Sequence, residues 1–121
     1  MCVGVDITNV YGYSDPVSSK KKEIREAFRI AVFARDGHKC RICGHEGDLD
    51  AHHITDRSEM PNGGYVAGNG ISLCPGCHKQ AELFHTSKGE HWCKDMHPNE
   101  LYELIGSNYE RARDASGRLS D

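Results

Sequence analysis

The chain has 121 residues, of which 37% are hydrophobic and 13 are glycine, and its net charge is −3. That length suits one modest domain, and so few apolar residues leave it a thin core. No stretch approaches the length of a membrane-spanning helix, the first twenty residues lack a signal-peptide pattern, and the charge excludes a uniformly basic nucleic-acid-binding protein.

In chain order, residues 1–19 read as an N-terminal extension. "CVGVDITNVYGY" has weak strand character and "SDPVSS" is a loop. Ser18 or Ser19 is expected to cap a helix over 20–35. Ile24, Ala27, Phe28, Ala31 and Val32 give that helix an apolar face, and Asp36-Gly37 ends it. From Lys20 to Arg41 the chain carries eight Lys or Arg against Glu23, Glu26 and Asp36, a local excess of five on an acidic protein. Such a segment suits phosphate, and it equally suits a solvated helix face.

"CRIC", Cys40 to Cys43, follows. Residues 49–54 read as a short strand that ends in "DAHHI". A Gly-, Pro- and Asn-rich loop leads to a second strand over 71–73. "CPGCH" then turns the chain into a helix over about 75–84. After a variable patch, Pro98 opens a last helix with a stripe of Leu101, Leu104, Ile105, Tyr109 and Ala112. Gly106-Ser107 is placed to break it, and the tail after Ala115 is expected to fray. The expected division is an extension (1–19), a core with its preceding basic helix (20–97), and a C-terminal helix and tail (98–121).

A thin core calls for a staple. Six cysteines are available, and a Cys-x-x-Cys turn presents two sulfurs to one ion. Cys40, Cys43, Cys74 and Cys77 form two such turns, which together close a tetrahedral site. A zinc there is structural. Two disulfides or a redox pair form the alternative. Without a signal-peptide pattern a cytoplasmic chain is expected, and there paired cysteines more often bind metal than form disulfides, with Cys2 and Cys93 left as free thiols.

Inside the clamp lie His52, His53, Asn69 and His78. Strand, loop, strand and helix bring the first and last of these elements together, so a strand histidine can meet His78. Two imidazoles leave most of a divalent ion's coordination sphere open, as a catalytic metal needs.

The order "VFARDGHKCRICG … LDAHHI … GNGISLCPGCHKQAE" resembles the zinc-containing HNH endonucleases, over about 31–82. That resemblance implies an α+β fold of the ββα-metal type, stapled by a four-cysteine zinc site and flanked by helices. It implies a metal-dependent endonuclease that hydrolyses DNA phosphodiester bonds to a 5′-phosphate and a 3′-hydroxyl. By the resemblance His53 is the general base, Asn69 holds the loop and helps orient the base, and His52 and His78 bind the catalytic metal. His52 stands where many members carry aspartate. Histidine favours Mn²⁺, Co²⁺, Ni²⁺ or Zn²⁺ more than a carboxylate does, so the expected catalytic ion is Mg²⁺, Mn²⁺, Ni²⁺ or Zn²⁺ without strict dependence on Mg²⁺. Small freestanding proteins with this motif often come from phages or mobile elements, which would place it in a host cytoplasm.

The chemistry is consistent with those roles. A neutral imidazole takes a proton from water near neutral pH, and water as nucleophile needs no 2′-hydroxyl. Neighbouring strand residues point to opposite faces, so His52 and His53 read as two roles rather than two ligands. Glu82, one turn beyond His78, is a third ligand, a partner that orients His78, or a solvated carboxylate. Lys39, Arg41, Arg35, Lys20, Lys21 and Lys22 are the expected DNA contacts, and a monomer or a homodimer is compatible with one site. Two other classes stay open: a zinc-dependent nucleic-acid-binding module without catalysis, and a restriction-type nuclease selective for sequence or modification.

Overall fold

A computed structural model describes residues 16–120. The expected extension over 1–15 lies outside the described residues, with Cys2 in it. Helix α1 spans Pro16–Arg35. It begins four residues before the expected start, because proline's fixed φ suits a first helical turn. Ser18 and Ser19 therefore lie within the helix rather than ahead of it.

Strands β1 (Asp50–His53) and β2 (Gly70–Leu73) form one antiparallel pair. The register sets Asp50 opposite Leu73, His52 opposite Ile71 and His53 opposite Gly70. Helix α1 lies across this pair. Phe28 and Val32, four residues apart, are buried, while Ala27 and Ala31 are exposed, so the buried face is narrower than the expected stripe. Gly70 explains the close approach. A Cβ there would stand 2.6 Å from Val32 Cγ2 and 2.7 Å from Phe28 Cε1.

Helix α2 (Pro75–Thr86) follows β2 directly, and Cys74 caps it by accepting the Cys77 N–H on its sulfur. The C-terminal apolar stripe is split as expected, into α3 (Pro98–Leu104) and α4 (Tyr109–Gly117). Gly106 has φ +69°, which glycine adopts without a side-chain clash. His97 and Glu100 form a capping box on α3, and Asn108 caps α4. One core joins these parts: Ile54, Ile71, Leu73, Ala81, Leu101, Tyr102 and Ala112 pack together with Cys40.

Two expectations about the surface change. Trp92 is 46% exposed and packs edge-on against His97, so it does not cover the core. The tail is anchored rather than frayed. Buried Ser116 accepts the Gly64 N–H at 2.9 Å and donates to the Pro61 carbonyl, and Asn62 Nδ2 donates to the Ser116 carbonyl at 3.0 Å.

A buried ion cluster ties α1 to β2. Asp36 accepts from Arg35 at 2.8 and 2.9 Å, from Arg41 at 2.8 Å, and from the Ser72 N–H at 2.8 Å. Burial opposes ionisation, but the bonds from Arg35, Ser72 and Arg41 outweigh it and hold the carboxyl below its ordinary range. Removing one partner of a buried ion pair costs about 3–5 kcal/mol, and the part-exposed arginines reduce this to about 2–3. Asp36→Asn should lower stability by that amount at pH 7, read as a shifted urea midpoint. A depressed folded-state pKa stabilises above the unfolded value near 4 and loses its effect as pH falls through the folded value. The gap between variant and wild type should therefore close in acid. Equal midpoints at pH 7 would show that the cluster contributes nothing.

Candidate active site

The two cysteine pairs converge. Sulfurs of Cys40, Cys43, Cys74 and Cys77 all lie within 4.8 Å of one another. Cys43 and Cys74 are 3.7 Å apart, far beyond a disulfide. Zinc–sulfur bonds of about 2.3 Å at tetrahedral angles put sulfurs about 3.8 Å apart. The N–H groups of Cys43 and Cys77 each face the first sulfur of their own pair at 3.5 Å. Such N–H groups, working against burial, bring the Cys40 thiol down to about 6, while burial and neighbouring sulfurs push Cys77 up. The residues thus fit a structural zinc.

A second group forms between β1 and α2. His52, His78 and Glu82 place ligand atoms within 4.8 Å of one another. Glu82 Oε2 lies 3.2 Å from His52 Nδ1 and 3.2 Å from His78 Nε2. Adjacent ligands about 2.1 Å from one ion stand about 3 Å apart. His52 is buried, and its Nδ1 has no aligned hydrogen-bond partner despite the close carboxylate. That nitrogen's lone pair fits a cation. Burial holds His52 below the ordinary histidine value, hence neutral as a ligand, and contact with His52 brings the Glu82 carboxyl to about 2.

Asp50 completes the group. Its Oδ2 lies 3.1 Å from His78 Nδ1, which turns Nε2 toward Glu82. A carboxylate on the far nitrogen of a ligating histidine fixes its tautomer and raises its basicity. Sequence reading missed this role, although β1 alternation already puts Asp50 on the face of His52.

His53 occupies the opposite face. Its ring stacks on Phe28 of α1, with centroids 4.7 Å apart, and meets the Tyr65 ring edge-on at 4.7 Å. Nε2 is buried without a hydrogen-bond partner. Burial first, then the charges of His52 and Arg57, lower this imidazole to about 4. It is neutral across the physiological range.

His85 sits on α2 and belongs to the site. Its Nε2 lies 3.0 Å from the His53 carbonyl, and its ring stacks on His52 at 5.3 Å. His85, His91, Cys93 and His97 form no metal-ligand group of their own. Among the described residues the metal-ligand groups are the two above, and His97 is instead the α3 cap.

Asn69 is fully buried and uses all four of its side-chain hydrogen-bonding sites. Oδ1 accepts from the Thr55 N–H at 2.9 Å and from the Tyr102 hydroxyl at 2.7 Å. Nδ2 donates to the carbonyls of Thr55 at 3.1 Å and Gly64 at 3.2 Å. Asn69 therefore clamps the turn after His53 and has no group left for a substrate.

The basic residues divide. Arg35 gives its donors to Asp36 and the carbonyls of Ala67 and Gly70, and Arg41 to Asp36 and the Leu104 carbonyl. Both expected DNA contacts thus also bond within the fold, Arg41 through one bond from each of its terminal nitrogens. Lys20, Lys21 and Arg25 line a cleft of about 500 Å³ with Tyr65, whose ring also faces His53. Lys39 stands on the surface beside the first cysteine pair, 3.7 Å from Glu46.

No curated protein and no solved structure matches the chain. A family model does, over residues 40–82, and it is that of the HNH endonucleases. The matched segment holds both cysteine pairs, His52, His53, Asn69, His78 and Glu82, so over residues 40–82 the chain is similar to the HNH endonuclease family.

Proposed function

We propose that the protein is a metal-dependent DNA endonuclease with His53 as general base and His52, His78 and Glu82 as ligands of one divalent ion. The observation that carries this reading is the split of the adjacent histidines. His52 faces α2 and two other ligand atoms, while His53 faces α1 and Tyr65. A phosphodiester resists attack because it is anionic and its alkoxide leaves poorly. When bound, a divalent ion supplies charge to the phosphate and the departing oxygen.

The chain's own groups supply the rest. His53, neutral through burial, takes a proton from the attacking water. Asn69 holds the turn behind it, and Asp50 sets the His78 ring. Lys20, Lys21 and Arg25 offer charge to the strand along their cleft, so affinity falls steeply with salt. Water as nucleophile permits DNA, and one site cuts one strand.

A supercoiled plasmid tests the reading. Nicked circles should form with Mg²⁺, Mn²⁺ or Ni²⁺ and none with EDTA. No nicking with any divalent ion, together with retained DNA binding, would leave a non-catalytic binding module. Discrete fragments in place of nicked circles would show a restriction-type enzyme.

A further inference from the structure

We propose that Tyr102, on α3 and outside the family-matched segment, is a positioning residue for this site: its hydroxyl, through Asn69, fixes the turn that carries His53. The inference rests on the nuclease reading above. Tyr102 is 2% exposed, and its hydroxyl lies 2.7 Å from Asn69 Oδ1 and 2.6 Å from Thr55 Oγ1.

The direction of these bonds follows from the donors available. Asn69 Oδ1 already accepts the Thr55 N–H, so the Tyr102 hydroxyl donates to it. Tyr102 has one proton, so Thr55 Oγ1 donates in turn to Tyr102. Thr55, Tyr102 and Asn69 thus close a ring in which each buried group is satisfied. Chains of this kind reinforce one another in a low dielectric.

The ring sits two residues beyond His53. The Asn69 carbonyl also accepts the Ile54 N–H at 2.8 Å, so one residue holds both positions after the base. On the other side, His85 holds the His53 carbonyl. The His53 backbone is therefore gripped from α2 and, through Tyr102, from α3. Small misplacement of a reacting group costs much of the rate. A hydroxyl on α3 is accordingly part of the site's precision, and the C-terminal helices complete the nuclease rather than append to it.

Tyr102→Phe keeps the ring in the core and removes only the hydroxyl. Expected are a kcat about tenfold lower, a KM for plasmid within twofold, and one zinc per chain, at a temperature well below unfolding. Amide exchange should quicken about tenfold at Ile54 and Thr55 and stay unchanged at Leu73. Unchanged kcat, or unchanged exchange at the turn, overturns the proposal, as does a loss shared equally between kcat and KM. If the wild-type protein nicks no DNA, the nuclease reading falls, and exchange at the turn alone then decides whether Tyr102 positions it.

Discussion

Removing the structural zinc should unfold the protein. The four sulfurs come from segments about thirty residues apart, Cys43 and Cys74 being 31 positions distant in the chain. An ion held by these four sulfurs would join the turn after α1 to the start of α2. Cys40 is itself in the core, and the Cys74 sulfur caps α2, so the ligands also belong to the packing. Structural zinc contributes about 10–16 kcal/mol in small zinc domains, and whole-domain stability is only about 5–15. Loss of the ion therefore exceeds what the remaining contacts supply.

Strong chelation under reducing conditions should abolish the cooperative thermal transition, and Cys77→Ser should do the same without a chelator. Metal analysis of the native protein should find about one tightly held zinc per chain. The two sites should separate under mild chelation. Four thiolates would close the zinc site, whereas His52, His78 and Glu82 are three ligands that leave positions open, so an ion there should leave first. Nicking should stop while the fold persists. A reduced, zinc-free protein that melts within a few degrees of the native one would refute the staple.

The four-cysteine cluster and the divergence of the adjacent histidines are legible in sequence because their geometry is local. A Cys-x-x-Cys turn can present two sulfurs to one ion by its own geometry, and β1 alternation separates His52 from His53 without help from the rest of the chain. What sequence hides is the use of ordinary residues at long range. Arg35 and Arg41 look like phosphate contacts, and sequence does not show that they also bond Asp36 and, for Arg41, the Leu104 carbonyl. Tyr102 stands beside the apolar stripe of the last helices, and nothing in the sequence marks its hydroxyl as a partner of Asn69, 33 positions away. His85 reads as one of several scattered histidines, yet α2 runs two residues past its expected end and carries it onto the His53 carbonyl. Asp50 was readable from strand period alone, and its contact with His78 needed the placement of β1 against α2.

His53→Ala should reduce nicking by about 10²–10⁴-fold, the range for loss of a general base. The expected cost to folding is small beside that, because the half-buried ring packs against Phe28 and Tyr65, and truncating it costs about 1–2 kcal/mol. His52→Ala should act differently. It removes one of three converging ligands, so more metal is needed for half-maximal activity, by about tenfold or more. The pH profile gives an independent reading. A base must be neutral to accept a proton, and burial and the charges of His52 and Arg57 bring His53 to about 4. With metal in excess, the wild-type rate should stay level from pH 7 to 5 and fall only below that, rather than through the usual histidine value near 6.5. Were His53→Ala to keep activity within tenfold, or to shift the metal requirement as His52→Ala does, the two histidines would share one role. The opposite faces they occupy on β1 argue that they do not, since only one of them meets His78 and Glu82.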